Sequence, residues 1–176
     1  IMSGELLITD TQSIYVCDFA MGLYRTNDLG ENWSAPSELI FDGCSAFNIH
    51  ENGTLFLGMT YFGIGFIHRS FDNGLIWEAI SLPEYDSNYP VEHIEFDSEG
   101  NIYLGTINGI YKSIDIGENW QKMNNGINGE HVSSMFIDEN DNIYIYTTYS
   151  AQTDGMYYSI DNAESWVSLP IPDYYV

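Results

Sequence analysis

One eight-residue pattern, Ser/Thr-x-Asp-x-Gly-x-x-Trp, returns four times along the 176-residue chain. The copies are Thr26–Trp33, Ser70–Trp77, Ser113–Trp120 and Ser159–Trp166. Their aspartates, Asp28, Asp72, Asp115 and Asp161, stand 44, 43 and 46 residues apart. A repeat of about 40–45 residues that is rich in short strands has the length of one four-stranded propeller blade. Each copy follows a short apolar or aromatic run, such as Gly109–Lys112, and precedes another, such as Trp120–Met123. That order reads as strand, turn, strand. The Asp carboxylate can accept bonds from amides of the turn, and the Ser/Thr hydroxyl can brace its start. The Gly supplies a left-handed backbone position. The tryptophans Trp33, Trp77, Trp120 and Trp166 can fold over the turn and bury a large ring. Turn chemistry therefore accounts for every position without a ligand. The last copy has Ala163 in place of Gly. Alanine there costs about 1 kcal/mol, so that turn is expected to differ or to be looser.

Four strands can be read in each repeat. They are Glu5–Thr9, Ser13–Cys17, Gly22–Thr26 and Trp33–Pro36 in the first, and Ser45–His50, Thr54–Met59, Gly65–Ser70 and Trp77–Ser81 in the second. The third has Val91–Asp97, Asn101–Thr106, Gly109–Ser113 and Trp120–Met123, and the fourth Val132–Asp138, Asn142–Thr147, Gly155–Ser159 and Trp166–Leu169. No segment has helical periodicity. The reading is an all-β propeller of four-stranded antiparallel blades, one domain or segment over 1–176. Its blades lie at about 4–39, 40–82, 83–123 and 124–169, with a tail at 170–176. Four blades fit a compact ring, half of a ring of eight, or part of a larger propeller.

These residues resemble the Asp-box, or bacterial neuraminidase (BNR), repeat family of β-propellers. That family includes sialidases, sortilin-type receptors, xyloglucan hydrolases and a photosystem assembly factor. The resemblance implies a box at the blade periphery, between the third and fourth strands and away from the binding face. It therefore speaks to architecture and leaves function open. Family sialidases hold their substrate carboxylate with three arginines, whereas this chain has two, Arg25 and Arg69, each immediately before a box. The sialidase Arg-Ile-Pro motif is also missing. The chain alone is not expected to cleave sialosides.

Charge narrows the partners. Four Lys and Arg stand against 26 Asp and Glu, a net charge of −22. Such a chain repels phosphate backbones and anionic membrane surfaces, so no nucleic-acid partner is expected. No apolar stretch has the length of a membrane span, so no membrane insertion is expected. The chain starts at Ile1 and enters a strand within a few residues, which suggests processing, trimming or a longer parent. Cys17 and Cys44 fall in different repeats. They read as partly buried thiols, with a disulfide as the alternative.

The loops between strands two and three, and those joining blades, form the functional face of a propeller. Here they carry aromatic rings beside Asp, Asn and Gln, which suits sugar stacking and also suits a protein interface. The ligand-binding candidates are Phe19, Tyr61, Phe62, Tyr85, Tyr89 and Tyr149. The bland alternative is that these rings tuck against neighbouring blades. His93, Glu95 and Asp97 alternate on one strand and could point into the channel. A glycosidase needs two carboxylates at a set separation, and no catalytic residue is assigned. His50, His68, His93 and His131 lack metal-ligand spacing. The run Asp138–Asn142 begins like a calcium loop but lacks its glycine and its twelfth-position acid, so it reads as a hairpin turn. No metal or cofactor is expected. The sequence thus suggests a secreted, periplasmic or cell-surface recognition or assembly module without catalytic activity. Its partner would be a glycan, a protein or another copy of itself. The alternatives are a fragment of a carbohydrate-active glycoside hydrolase and a self-associating structural unit.

Overall fold

The computed structural model describes residues 5–8, 13–35, 43–61, 64–83, 90–128, 131–148 and 155–170. Among them there are fifteen strands and no helix. The first sheet joins β1 (Glu5–Ile8), β2 (Ile14–Asp18) and β3 (Gly22–Thr26). The second joins β4 (Gly43–Ile49), β5 (Leu55–Tyr61), β6 (Ile64–Ser70) and β7 (Glu78–Ile80). The third contains β8 (Val91–Phe96), β9 (Ile102–Thr106), β10 (Gly109–Ser113) and β11 (Gln121–Lys122). The fourth has β12 (His131–Ile137), β13 (Ile143–Thr148), β14 (Gly155–Ser159) and β15 (Val167–Leu169). Each sheet is a meander in chain order, the arrangement of a propeller blade.

Of the fourth strand expected at Trp33–Pro36, the described residues Trp33–Ala35 hold one bridge, in which Arg25 and Ser34 exchange backbone bonds of 2.8 and 2.9 Å. Pro36 lies outside the described residues. In the other sheets the tryptophan precedes the outer strand and does not open it. Its ring belongs to the turn.

The four repeated turns share one hydrogen-bond frame. The Ser/Thr hydroxyls of Thr26, Ser70, Ser113 and Ser159 donate to Asp28, Asp72, Asp115 and Asp161 at 2.6–2.8 Å. The same oxygens accept the amides of Gly30, Gly74, Gly117 and Ala163 at 2.9–3.1 Å. Each aspartate then accepts the amide four residues on, from Asn32, Ile76, Asn119 and Ser165. Where that residue is polar, its side chain binds the second carboxylate oxygen too. Ala163 takes the left-handed conformation, φ 69°, and keeps the 2.9 Å bond to Ser159. The turn is therefore not loosened. What differs is its tryptophan. Trp77 and Trp120 donate their indole N–H to the carbonyls of Gly74 and Gly117, whereas Trp166 donates to Met123 at 2.7 Å.

The chain divides into two compact units, 1–94 and 95–176. In the first unit, Tyr15, Cys17 and Leu23 of the first sheet pack on Phe47, Leu57, Met59 and Trp77 of the second. Tyr15 and Phe47 lie ring to ring at 5.3 Å. Cys17 and Cys44 form a disulfide across this joint, with Cα atoms 5.3 Å apart. The expectation of two thiols is corrected. Both cysteines stand on the facing sides of β2 and β4, and no spacing rule in the sequence fixes that proximity. In the second unit, Tyr103, Ile110 and Met123 of the third sheet meet Val132, Met135, Ile143, Ile145, Tyr157 and Trp166 of the fourth. Period-two alternation puts these side chains on facing surfaces.

Candidate functional site

In the first and third sheets the loop ends between second and third strands are closed by short polar links. In the first sheet, Asp18 Oδ1 accepts the amides of Ala20 and Met21, both at 2.8 Å. In the third, Thr106 donates to the Gly109 carbonyl at 2.9 Å and accepts the Asn108 amide. Asn124 adds a clamp there. Its Oδ1 accepts the Ile110 amide at 2.9 Å, and its Nδ2 donates to the Asn108 carbonyl. A Cβ on Gly109 would collide with the Asn124 amide group. Asn124 is a positioning residue that sequence reasoning missed, because it lies outside the repeat and acts from the next connection.

Of the six aromatic candidates, Phe19 is the one whose side chain is described. It is 45 % exposed, with Met21 more exposed beside it. A Cβ on Gly43 would collide with the Phe19 carbonyl, so glycine at the start of β4 lets this loop close over it. Gly43 in turn pairs with Thr60 of β5. The Thr60 hydroxyl is buried with no hydrogen-bond partner among the described residues. Tyr61 ends β5, and its side chain lies outside the description. Phe62, Tyr85, Tyr89 and Tyr149 lie outside the described residues.

The polar trio on the third sheet does not stand as one row of free groups. Asp97 accepts the amides of Glu99 and Asn101, the Asn101 side chain at 2.7 Å and the Tyr103 hydroxyl at 3.0 Å. It belongs to the turn between β8 and β9 and not to a channel. Burial is the main cause of the raised Tyr103 phenol pKa, and the Asp97 charge adds to it. Asp138 does the same work for the next sheet, binding Asn140, Asn142 and Tyr144. The hairpin reading of Asp138–Asn142 holds, with Asp141 at φ 61° in the place of Gly53 and Gly100. Asp141 also reaches Ser98 of the neighbouring sheet, accepting its amide at 2.8 Å and its hydroxyl at 2.5 Å. No group of three or more metal-ligating side chains occurs among the described residues.

The carboxylates with resolved pKa shifts are all shifted downward, and hydrogen bonds dominate each shift. The Thr26 hydroxyl, followed by Asn32, lowers Asp28 to about 2. The Ile76 amide lowers Asp72, Asn119 lowers Asp115 and Ser165 lowers Asp161. Asn142 lowers Asp138, and Ser98 lowers Asp141. Such groups are held ionised and cannot serve as a proton-donating acid near neutrality. A cleft of about 230 Å³ opens elsewhere, lined by Tyr15, Leu23, Arg25, Ser34, Ala35, Gly74 and Leu75. Its lining comes from β2, β3 and the bridged segment at Ser34 in the first sheet and from the repeated turn of the second. No helix of the described residues is long and apolar enough to cross a membrane, which says nothing about strand-built membrane barrels.

No protein-family profile matches the chain. The chain is 27 % identical over 166 residues to an oligoxyloglucan-reducing end-specific xyloglucanase from Emericella nidulans. The match takes in 84 % of this chain and 19 % of that protein. The chain thus spans about a fifth of the length of the curated relative it matches. An ancestral GH74 enzyme superposes with a TM-score of 0.78 at 17 % identity, covering 94 % of this chain and 25 % of the enzyme. YCF48 bound to D1 peptide superposes at 0.66 with 15 % identity, covering 95 % of this chain and 53 % of YCF48. These likenesses agree with the four antiparallel meanders. The fold is that of a β-propeller.

Proposed function

We propose that this chain is part of an Asp-box β-propeller that binds a glycan through its loop face, without performing catalysis itself. The observation that carries the reading is the exposed pair Phe19 and Met21 at a loop end. The repeated aspartates at the other end are used up in their own turns. An exposed ring held by a tight backbone approach suits stacking on the C–H face of a sugar. Tyr61, Phe62, Tyr85, Tyr89 and Tyr149 would extend that surface. The xyloglucanase name of the curated relative favours a glycan over other ligands. The disulfide supports a secreted, periplasmic or cell-surface location, since such bonds persist in oxidising compartments. Asp97, taken up by its turn, removes one carboxylate from the trio that suggested catalysis.

The test is native electrophoresis of the purified chain in gels containing xyloglucan, with reducing-end release measured in parallel. The expected outcome is retardation without sugar release. Phe19→Ala should reduce the retardation several-fold, because an aromatic anchor carries a large share of a small interface. Mobility unchanged across a panel of polysaccharides would contradict the reading. The alternative is a fragment of a glycoside hydrolase, which the xyloglucanase likeness also favours. Release of oligosaccharides would select it.

A further inference from the structure

The cleft of about 230 Å³ in the first unit has a mixed lining. Leu23, Ala35 and Leu75 are apolar, Tyr15 brings a ring, and Arg25 and Ser34 are polar. Tyr15 and Leu23 belong to the core of this unit, whereas Leu75 is 71 % exposed. The cleft therefore runs from core side chains to a leucine in solvent. Drug-sized ligands occupy about 300–1,000 Å³, so this cleft suits a smaller body.

Arg25 is the half-buried cation of that lining. Its Nε donates to Asn27 Oδ1 at 3.0 Å, and its Nη1 donates to the Asn73 carbonyl at 2.8 Å. The guanidinium also lies over the Tyr15 ring, 5.8 Å from the centroid. All three contacts are to neutral groups. Among the described residues no carboxylate pairs with Arg25, although 26 acids face four cations in the chain. The other guanidinium N–H groups have no acceptor among the described residues. The existing contacts hold the plane of the fork. A ligand that binds it therefore pays little to order the side chain.

The turn that meets Arg25 departs from its repeats at the cleft. After the Gly or Ala of the turn, the first, third and fourth copies have Glu31, Glu118 and Glu164. The second copy has Leu75. In the second unit the related cation, Lys112, donates to Asn162 of a turn that keeps Glu164 at this place. In the first unit the glutamate is gone, which removes a charge that would repel an anion and adds apolar surface to the cleft. Leu75 serves the turn through its backbone amide, given to Asp72 at 3.0 Å. The hydrogen-bond frame therefore does not require leucine. We propose that this cleft binds a small carboxylate with an apolar body. Arg25 donates to the carboxylate, in the geometry that a guanidinium fork supplies. The apolar body lies against Leu23, Ala35 and Leu75. Phe19 is not among the lining residues, so the inference does not rest on glycan binding at the loop end.

Titration of the isotopically labelled chain with phenylacetate tests it, followed by NMR at the methyl signals of Leu23, Ala35 and Leu75. Phenylacetamide, of the same shape without the charge, is the control. Saturable shifts at these methyls are expected with phenylacetate, with a Kd on the order of millimolar. Phenylacetamide should bind at least about tenfold more weakly, because it lacks the charge-assisted pair. Leu75→Glu places the glutamate of the other turns at an exposed position, and circular dichroism checks that the variant folds. It should weaken phenylacetate by about the same factor, read at the Leu23 and Ala35 methyls. Arg25→Lys should weaken it too, since an ammonium offers a point charge and no fork. The absence of saturable shifts in the wild type would overturn the inference. So would equal binding of the amide, or a folded Leu75→Glu that holds phenylacetate as tightly as the wild type.

Discussion

At the residue scale, the aspartate of the repeated turn is a structural acid whose ionisation is set by its neighbours. In the fold, Asp28 is held at about 2 by Thr26 and Asn32, below the ordinary carboxylate value. The folded state therefore binds its proton more weakly than the unfolded chain does. Stability from this group is complete above about pH 4 and is lost as the pH falls through the folded value of about 2. Asp28→Asn removes that titration and sets an amide N–H₂ against donors. The variant should melt below the wild type at pH 7, and the gap should close between pH 4 and pH 2. Thermal melts at a series of pH values check this, and a gap independent of pH would contradict it. Asp28, Asp72, Asp115 and Asp161 were legible in the sequence because spacing and turn chemistry point to them together. Ala163 was half legible. Its strained position was expected, but the rerouting of Trp166 to Met123 was not. That bond links groups 43 residues apart, which local turn chemistry cannot show.

At the element scale, the strands follow from period-two alternation. The ends departed from expectation where pairing, and not composition, decides them. Among the described residues the outer strand of the first sheet is one bridge at Ser34. Asp97 reads as the last residue of a strand facing a channel, yet it turns back to bind Asn101. The same Asp-x-x-Gly-Asn spacing marks a turn as plainly as the repeated box does. The disulfide also belongs to this scale, since it ties β2 to β4 across 27 residues. Cross-linking a loop of that length stabilises by about 3–4 kcal/mol on the chain-entropy account. The double variant Cys17→Ser, Cys44→Ser should lose roughly that amount in urea unfolding. Reduction of the wild type should reproduce the loss. An unchanged midpoint would mean that the joint of Tyr15 on Phe47 holds the two sheets unaided.

At the scale of the whole molecule, four cations serve 26 acids, and all four lie over aromatic rings. Arg25 covers Tyr15, Arg69 covers Phe71, Lys112 covers Tyr103 and Lys122 covers Tyr111, at 5.0–5.8 Å. Two of them, Arg25 and Lys112, also reach the next sheet's repeated turn, and the large excess of acids leaves the chain unsuited to polyanions. The propeller fold was legible from the repeat alone. The binding loops were legible only as candidates, because nothing in a loop's composition fixes whether its rings face solvent or a neighbouring blade. The claim that the loop end, and not the repeated turn, meets the ligand is open to one direct measurement. Oxidative footprinting by mass spectrometry would be run with and without saturating xyloglucan oligosaccharide. The account predicts protection at Phe19 and in the segments holding Tyr61, Phe62, Tyr85, Tyr89 and Tyr149, with Trp33, 45 % exposed in its turn, unchanged. Protection at Trp33 with Phe19 unaffected would contradict it.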